Sequence, residues 1–272
     1  MHITITGNLG SGKSTICRLM SERYGFEVYS TGKIQRELAR QMNMTTLELN
    51  QLMCSDKKYD NMIDDETARI SRENRDKDII FDSRLAWHFV EYSFKVFVSV
   101  SLDVAAERVM KDQRGNVESY SSLEEARKLL AERAATERKR YKEIYNLNYM
   151  DFNNYNLVID STFSPPELIA RIIYEEAKNF YKDNAGFGAT RLLLPPARLI
   201  GPDCITEADK ERLQALIQKY KQAEYKIDDI IEVKNADGDY EPVANLDKVK
   251  AAFLAGIPYI QVRLVKKESD SI

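Results

Sequence analysis

The chain has 272 residues, 43% of them hydrophobic and 31% charged, a globular composition that excludes a disordered or membrane-embedded protein. Its length exceeds the common size of one domain, so an α/β domain with a smaller appendage is expected. The net charge of −3 lacks the basic excess of a dedicated nucleic-acid binder, so a nucleic-acid partner is not expected, while a local phosphate pocket stays open.

Residues 2–6 alternate β-branched side chains with others and run into glycines, which predicts a short buried strand opening into a turn. Helical spacing follows over 14–24. A second strand is expected over 26–30 and a helix over 32–42, with Ile34, Leu38 and Met42 on one face. Thr45-x-x-Glu48 and Ser122-x-x-Glu125 are capping-box patterns, in which a hydroxyl and a carboxylate satisfy the free amides of a helix start. Further strands are expected over 78–82, 95–101 and 156–160, with helices between them. Ser164-Pro-Pro-Glu167 starts a last helix that reaches about residue 182. Short apolar strands alternating with helices mean a parallel sheet covered on both faces, so residues 1–182 are read as a doubly wound α/β domain.

Residues 183–198 combine two glycines with a proline pair and suit an interdomain linker or a strand entering a new unit. The rest, within a second domain over 190–272, reads as helix (206–220), strand (226–233), an Asp237-Gly238 turn, strand, helix (246–255, ended by Gly256) and strand (259–265). That is a small α+β domain. Cys17, Cys54 and Cys204 lie far apart without a CxxC or Cys/His cluster, so neither a disulfide framework nor a zinc site is expected. No run approaches the roughly 18 apolar residues of a membrane span, and a reducing cytoplasm is the expected compartment.

Gly7-Asn8-Leu9-Gly10-Ser11-Gly12-Lys13-Ser14 satisfies the phosphate-loop pattern GxxxxGKS/T between a predicted strand and a predicted helix. Glycines let the backbone fold closely around phosphate oxygens, and the following helix adds its positive end. Gly7, Asn8, Gly10, Ser11, Gly12, Lys13, Ser14 and Thr15 are therefore expected to cradle the phosphates of a nucleotide. Lys13 would reach the β- and γ-phosphates and the Ser14 hydroxyl would hold Mg²⁺. The loop alone does not separate a kinase from a GTPase or ATPase.

Tyr29-Ser-Thr-Gly-Lys-Ile-Gln-Arg36 resembles the S-T/A-G-x-x-x-R segment of cytidylate kinases. Phe81-Asp-Ser-Arg-Leu-Ala-Trp87 is similar to the EGRLAGW segment of the archaeal-type branch, residues 132–145 to its lid helix, and Tyr155-Asn-Leu-Val-Ile-Asp160 to its YDLVID strand. The resemblance covers about residues 1–180 in order. It implies a P-loop nucleoside monophosphate kinase with a helical lid that transfers the γ-phosphoryl group of ATP to CMP or dCMP. Ser30, Gly32, Arg36, Asp64 and Arg84 would then bind the acceptor, with Arg36 and Arg84 as bidentate forks for its phosphate. Arg133 and Arg140, seven apart and so near one helix face, would close over the γ-phosphate, with Glu137 orienting them. Lys13, Arg84, Arg133 and Arg140 form the catalytic set. Arg108 would stack on the donor adenine, and Asp82, where the family often has Glu, would lie near the metal with Ser14. Trp87 and His88 are read as packing residues.

The fold does not dictate the acceptor, so a kinase of another small metabolite and a nucleotide-gated regulatory protein acting through the C-terminal domain stay open. Residues 190–272 weakly resemble the ParB/sulfiredoxin-like fold, although Ala244 or Asn245 stands where that fold's phosphate-binding motif has glycine and Lys248 is the nearest cation. The segment 192–196 (LLLPP) fits docking onto the first domain, a homodimer contact or an edge strand equally well.

Overall fold

The computed structural model describes residues 1–55, 58–112, 120–182, 188–236 and 239–265. Strand β1 (His2–Gly7) leads into α1 (Lys13–Tyr24), followed by β2 (Glu27–Ser30), α2 (Thr31–Gln41), α3 (Thr46–Ser55) and α4 (Lys58–Glu73). Next come β3 (Ile79–Asp82), α5 (Ala86–Phe89), β4 (Phe94–Ser99), α6 (Leu102–Lys111), α7 (Leu123–Tyr145), β5 (Leu157–Asp160) and α8 (Pro166–Lys182). The remaining elements are β6 (Arg191–Leu194), α9 (Glu207–Arg212), α10 (Gln214–Tyr220), β7 (Lys226–Ala236), β8 (Asp239–Pro242), α11 (Leu246–Ala255) and β9 (Tyr259–Leu264). No helix among the described residues is long and apolar enough to cross a membrane.

The chain forms two compact units, one of Met1–Asn156 with Pro166–Thr190 and one of Leu157–Pro165 with Arg191–Ile272. In the first, the strands run in the order β2-β3-β1-β4 and all are parallel. Ile3, Ile5, Ile80, Phe81, Val96 and Phe97 are fully buried, on adjacent as well as alternate positions, because helices flank the sheet. Helix α1 buries Ile16, Cys17, Leu19 and Met20, and α8 packs beside it, where Tyr24 and Tyr174 stack at 3.9 Å. Helices α6 and α7 share a cluster of Val100, Ala105, Ala106, Val109, Ala126 and Leu130.

The capping box at Thr45 forms in both directions, with Glu48 N–H donating to Thr45 Oγ1 (3.1 Å) and Thr45 N–H to Glu48 Oε2 (2.7 Å). At the start of α7 only half of the expected pattern forms. Ser122 Oγ accepts from Glu125 N–H at 3.1 Å, but the Glu125 carboxylate turns to the amide and hydroxyl of Ser121. Helix α2 also differs from expectation. Ile34 and Met42 are exposed, and the helix buries Ala39 instead, so the expected apolar spacing does not mark the buried side of the helix at these positions.

The second unit has the strand order β5-β6-β9-β7-β8. Strands β5/β6 and β7/β9 are parallel, β6/β9 and β7/β8 antiparallel, and β7 carries an irregularity between Ile227 and Ile230. Leu192, Leu193 and Leu194 lie in β6 between two partners and are buried, so the sheet of their own unit consumes this apolar run. The predicted helix over 206–220 breaks at Leu213 into α9 and α10, and α9 opens with a complete capping box between Thr206 and Asp209. Helix α11 is bounded by left-handed Asn245 (φ 61°) and Gly256 (φ 70°). Strand β5, read from the sequence as part of the first domain, groups with this unit. The Asp237-Gly238 turn and residues 183–187 of the expected linker lie outside the described residues.

Candidate active site

The loop after β1 is shaped by backbone contacts. A Cβ at Gly7 would stand 2.1 Å from the Val98 carbonyl oxygen, so glycine is what allows β1 to pass β4 this closely. Asn8 N–H donates to Val98 O (3.1 Å) and Asn8 Oδ1 accepts from Val100 N–H (3.2 Å), which ties the loop to the end of β4. Gly12, with φ 82°, turns the chain into α1, and the amides of Thr15 and Ile16 return to its carbonyl. Ser14 and Thr15 lie on the first turn, which carries no acidic side chain to offset the positive end of the helix.

Lys13 folds back over this loop. Its Nζ donates to Asn8 O (2.7 Å), Gly7 O (3.2 Å) and Ser11 Oγ (3.3 Å), all neutral acceptors. Desolvation first, and the nearby Arg84 guanidinium second, push its pKa down to about 7, against the opposing pull of Asp82 and Glu137. An anion seated on the loop is the counter-charge this amine lacks.

Arg84 approaches the same loop from the end of β3. Its Nη1 donates to Gly7 O (2.6 Å) and its Nε to Glu137 Oε2 (2.7 Å), so the Gly7 carbonyl accepts from both Lys13 and Arg84. Glu137, on α7, also accepts from Arg133 Nε through Oε1 (3.1 Å), and Arg133 Nη1 reaches Thr46 Oγ1 on α3 (3.2 Å). Glu137 is 3% exposed at its side chain and Arg84 15%. Burial works against the Glu137 carboxylate, but Arg84, Arg133 and Arg140 outweigh it and hold its pKa down at about 2. Burial likewise opposes charge on Arg84, and Glu137 more than restores it. Tyr149 lies under the Arg84 guanidinium at 5.8 Å, its hydroxyl pKa raised to about 12 by burial and by Glu137. Arg140 is 1% exposed, donates to the Tyr141 hydroxyl (3.0 Å) and stacks over that ring at 4.8 Å.

The other expected site residues fall into smaller groups. Asp82, 9% exposed at the end of β3, accepts from Ser30 Oγ (2.9 Å) at the end of β2, and its carbonyl accepts from Thr31 Oγ1 (3.4 Å). Arg36 is half-buried on α2, with Nη1 3.5 Å from where a Gly32 Cβ would stand. Asp64, 7% exposed on α4, accepts from the Tyr145 hydroxyl at the end of α7 (2.5 Å). Arg108 is half-buried on α6. Trp87 is buried 5.8 Å from the Tyr155 ring, whereas His88 is exposed on α5 with its ring against Phe89. The contacts of Thr46, Tyr145 and Tyr149 with Arg133, Asp64 and Arg84 escape a reading of the sequence, because the partners lie far apart along the chain.

The donor set fits a nucleotide phosphate with its magnesium. Neutral-acceptor Lys13, an uncompensated helix start and glycines at close backbone approach suit phosphate oxygens. No group of three or more His, Cys, Asp or Glu side chains forms a metal cage among the described residues. Ser14 and Asp82 with phosphate oxygens and water are a donor set of the kind magnesium takes.

The sequence model of the cytidylate kinase-like family matches residues 2–162. A cytidylate kinase of Natronomonas pharaonis is 35% identical over 192 residues, covering 70% of this chain and 95% of its own. One from Methanocaldococcus jannaschii is 33% identical over 187 residues, covering 67% of this chain and 100% of its own. Among solved structures, a shikimate kinase from Acinetobacter baumannii in complex with shikimate aligns over 65% of this chain and 93% of its own, at 14% identity and a TM-score of 0.39. With a matching segment that spans more than half of its length, the chain belongs to the cytidylate kinase-like family.

Proposed function

We propose that this chain transfers the γ-phosphoryl group of ATP to CMP or dCMP, releasing ADP and the cytidine diphosphate. The observation that carries this reading is the convergence of Lys13 and Arg84 on the Gly7 carbonyl, with Glu137 joining Arg84 to Arg133. A donor-side cation and an acceptor-side cation thus meet at one loop, and a lid cation joins them through Glu137. The names of the curated relatives support cytidine as the acceptor's nucleoside.

Phosphoryl transfer asks for positioning and for cations that neutralise charge spread over the moving group, with little covalent work by the protein. The loop amides and Lys13 hold the donor phosphates, with Gly7, Asn8, Gly10, Ser11, Gly12, Ser14 and Thr15 forming the cradle. Arg36 and Arg84 hold the acceptor phosphate, and Ser30, Gly32 and Asp64 line the acceptor nucleoside. Glu137 keeps Arg84 and Arg133 at a fixed separation, so that the acceptor and the transferring group are gripped together, with Arg140 behind them. Arg108 packs on the donor adenine. Ser14 and Asp82 would hold Mg²⁺, which when bound supplies further neutralisation of the phosphate oxygens. A phosphate acceptor already ionised at neutral pH requires no general base. We place this activity in the cytoplasm, where Cys17 and Cys204, both free thiols, stay reduced.

The test is ADP formation from ATP·Mg²⁺ with CMP, dCMP, UMP, AMP and GMP, using Lys13→Ala as the blank. Turnover that depends on Lys13 and favours the cytidine monophosphates is the expected result. Absence of turnover with all five, in protein that still binds ATP, overturns the acceptor assignment.

A further inference from the structure

A cavity of about 460 Å³ opens in the first unit between α4, the segment after α5 and the start of β1. The parallel strands begin there, whereas the phosphate loop lies where they end, so the two sites occupy opposite margins of the sheet.

The floor of this cavity is held on several sides. His2 Nδ1 meets Ser71 Oγ at 3.1 Å and Nε2 meets Asn74 O at 2.9 Å. The Tyr181 hydroxyl donates to the His2 carbonyl (2.8 Å) and accepts from the His2 amide (3.0 Å). Tyr92 stands edge-to-face with Tyr181 at 5.2 Å and remains 51% exposed, so its ring is both oriented and accessible.

Arg72 and Arg75 line the same space. Neither side chain makes a hydrogen bond or ion pair among the described residues. Arg69, one turn earlier, contrasts with them, since Glu66 (2.6 Å) and Glu73 (2.5 Å) both hold it. Against the two guanidinium groups the lining sets a single carboxylate, Glu91.

We propose that this cavity binds a small aromatic anion, a planar ring that carries a phosphate or carboxylate group. Arg72 and Arg75, three residues apart in the chain and both in the lining, receive the anionic group as forked donors. Tyr92 and Phe89 supply the apolar walls for the ring. The volume lies in the range of about 300–1,000 Å³ usual for small-molecule sites. Because the phosphate loop lies at the other margin, the site fills independently of it, and it does not rest on the acceptor assigned above.

The experiment is titration calorimetry of the full chain with phenyl phosphate, in the presence of a saturating non-hydrolysable ATP analogue and CMP. One equivalent is expected to bind, with inorganic phosphate and phenol each at least tenfold weaker. The R72A/R75A double variant should weaken phenyl phosphate at least tenfold, and Tyr92→Ala severalfold, with thermal melting confirming that both remain folded. Glu91→Gln should tighten binding, a gain that misfolding does not produce. Wild-type affinity in the double variant, inorganic phosphate binding as tightly as phenyl phosphate, or unchanged or weaker binding in Glu91→Gln overturns the proposal.

Discussion

The phosphate loop and the arginine cluster beside it are made from different materials. Over residues 7–14 the shape comes from backbone conformation, with Gly7 admitting the Val98 carbonyl and Gly12 turning into α1 at φ 82°. The cluster brings together Thr46 of α3, Arg84 from the end of β3, Arg133 and Glu137 of α7 and Tyr149 beyond it, and is held by side-chain charge. A local device tolerates change in distant parts of the chain, whereas an assembled one fails as a unit when its shared carboxylate is lost.

That difference can be broken or sharpened by substitution. The largest effect is expected at the cluster. Glu137→Ala leaves Arg84 and Arg133 buried without their common counter-ion, and should destabilise the protein by about 3–5 kcal/mol, read from urea unfolding. A loss well under 1 kcal/mol would mean that the cluster is not held by charge. Lys13→Ala, in the loop, should leave the melting curve nearly unchanged while lowering turnover about 10²–10³-fold in the ADP assay. A large stability loss there would erase the contrast.

Acid separates the two plans in a third way. The Glu137 pKa is depressed from 4.5 to about 2, so its contribution to stability is fully present above pH 4.5 and is lost as pH falls toward 2. Chemical denaturation across that window should show a slope in the wild type that flattens in Glu137→Gln, and equal slopes would reject the assignment. The smallest effect is expected from Gly12→Ala. Open space surrounds the new Cβ, so only the left-handed backbone resists it, at a cost of roughly 1–2 kcal/mol.

The same contrast explains which features are legible in the amino-acid sequence. Gly7 to Ser14 can be read because a phosphate loop is a contiguous pattern whose flanking strand and helix are also readable. Arg133 and Glu137 are legible only through resemblance to a family, since nothing in the charge-rich segment 132–145 distinguishes a buried face from a solvated one. Thr46 and Tyr149 carry no signal at all. Periodicity places Ile34 and Met42 on a common face but does not reveal that these two side chains stay exposed. The apolar character of Leu192 to Leu194 suits docking, a homodimer contact or an edge strand, but pairing with both β5 and β9 makes β6 an interior strand instead. Apolar character identifies 157–160 as a strand, but a strand's own residues do not say which compact unit it joins.

The Gly7 carbonyl offers a spectroscopic handle on the loop and the cluster together. Because it accepts from the cations of both Lys13 and Arg84, its double bond is polarised from two sides and its stretching band should fall at unusually low frequency. A ¹³C=¹⁸O label at that single position would shift the band clear of the amide envelope. One bond would then register, by stepwise recovery toward the normal frequency, whether a ligand has drawn away one of its two partners or both.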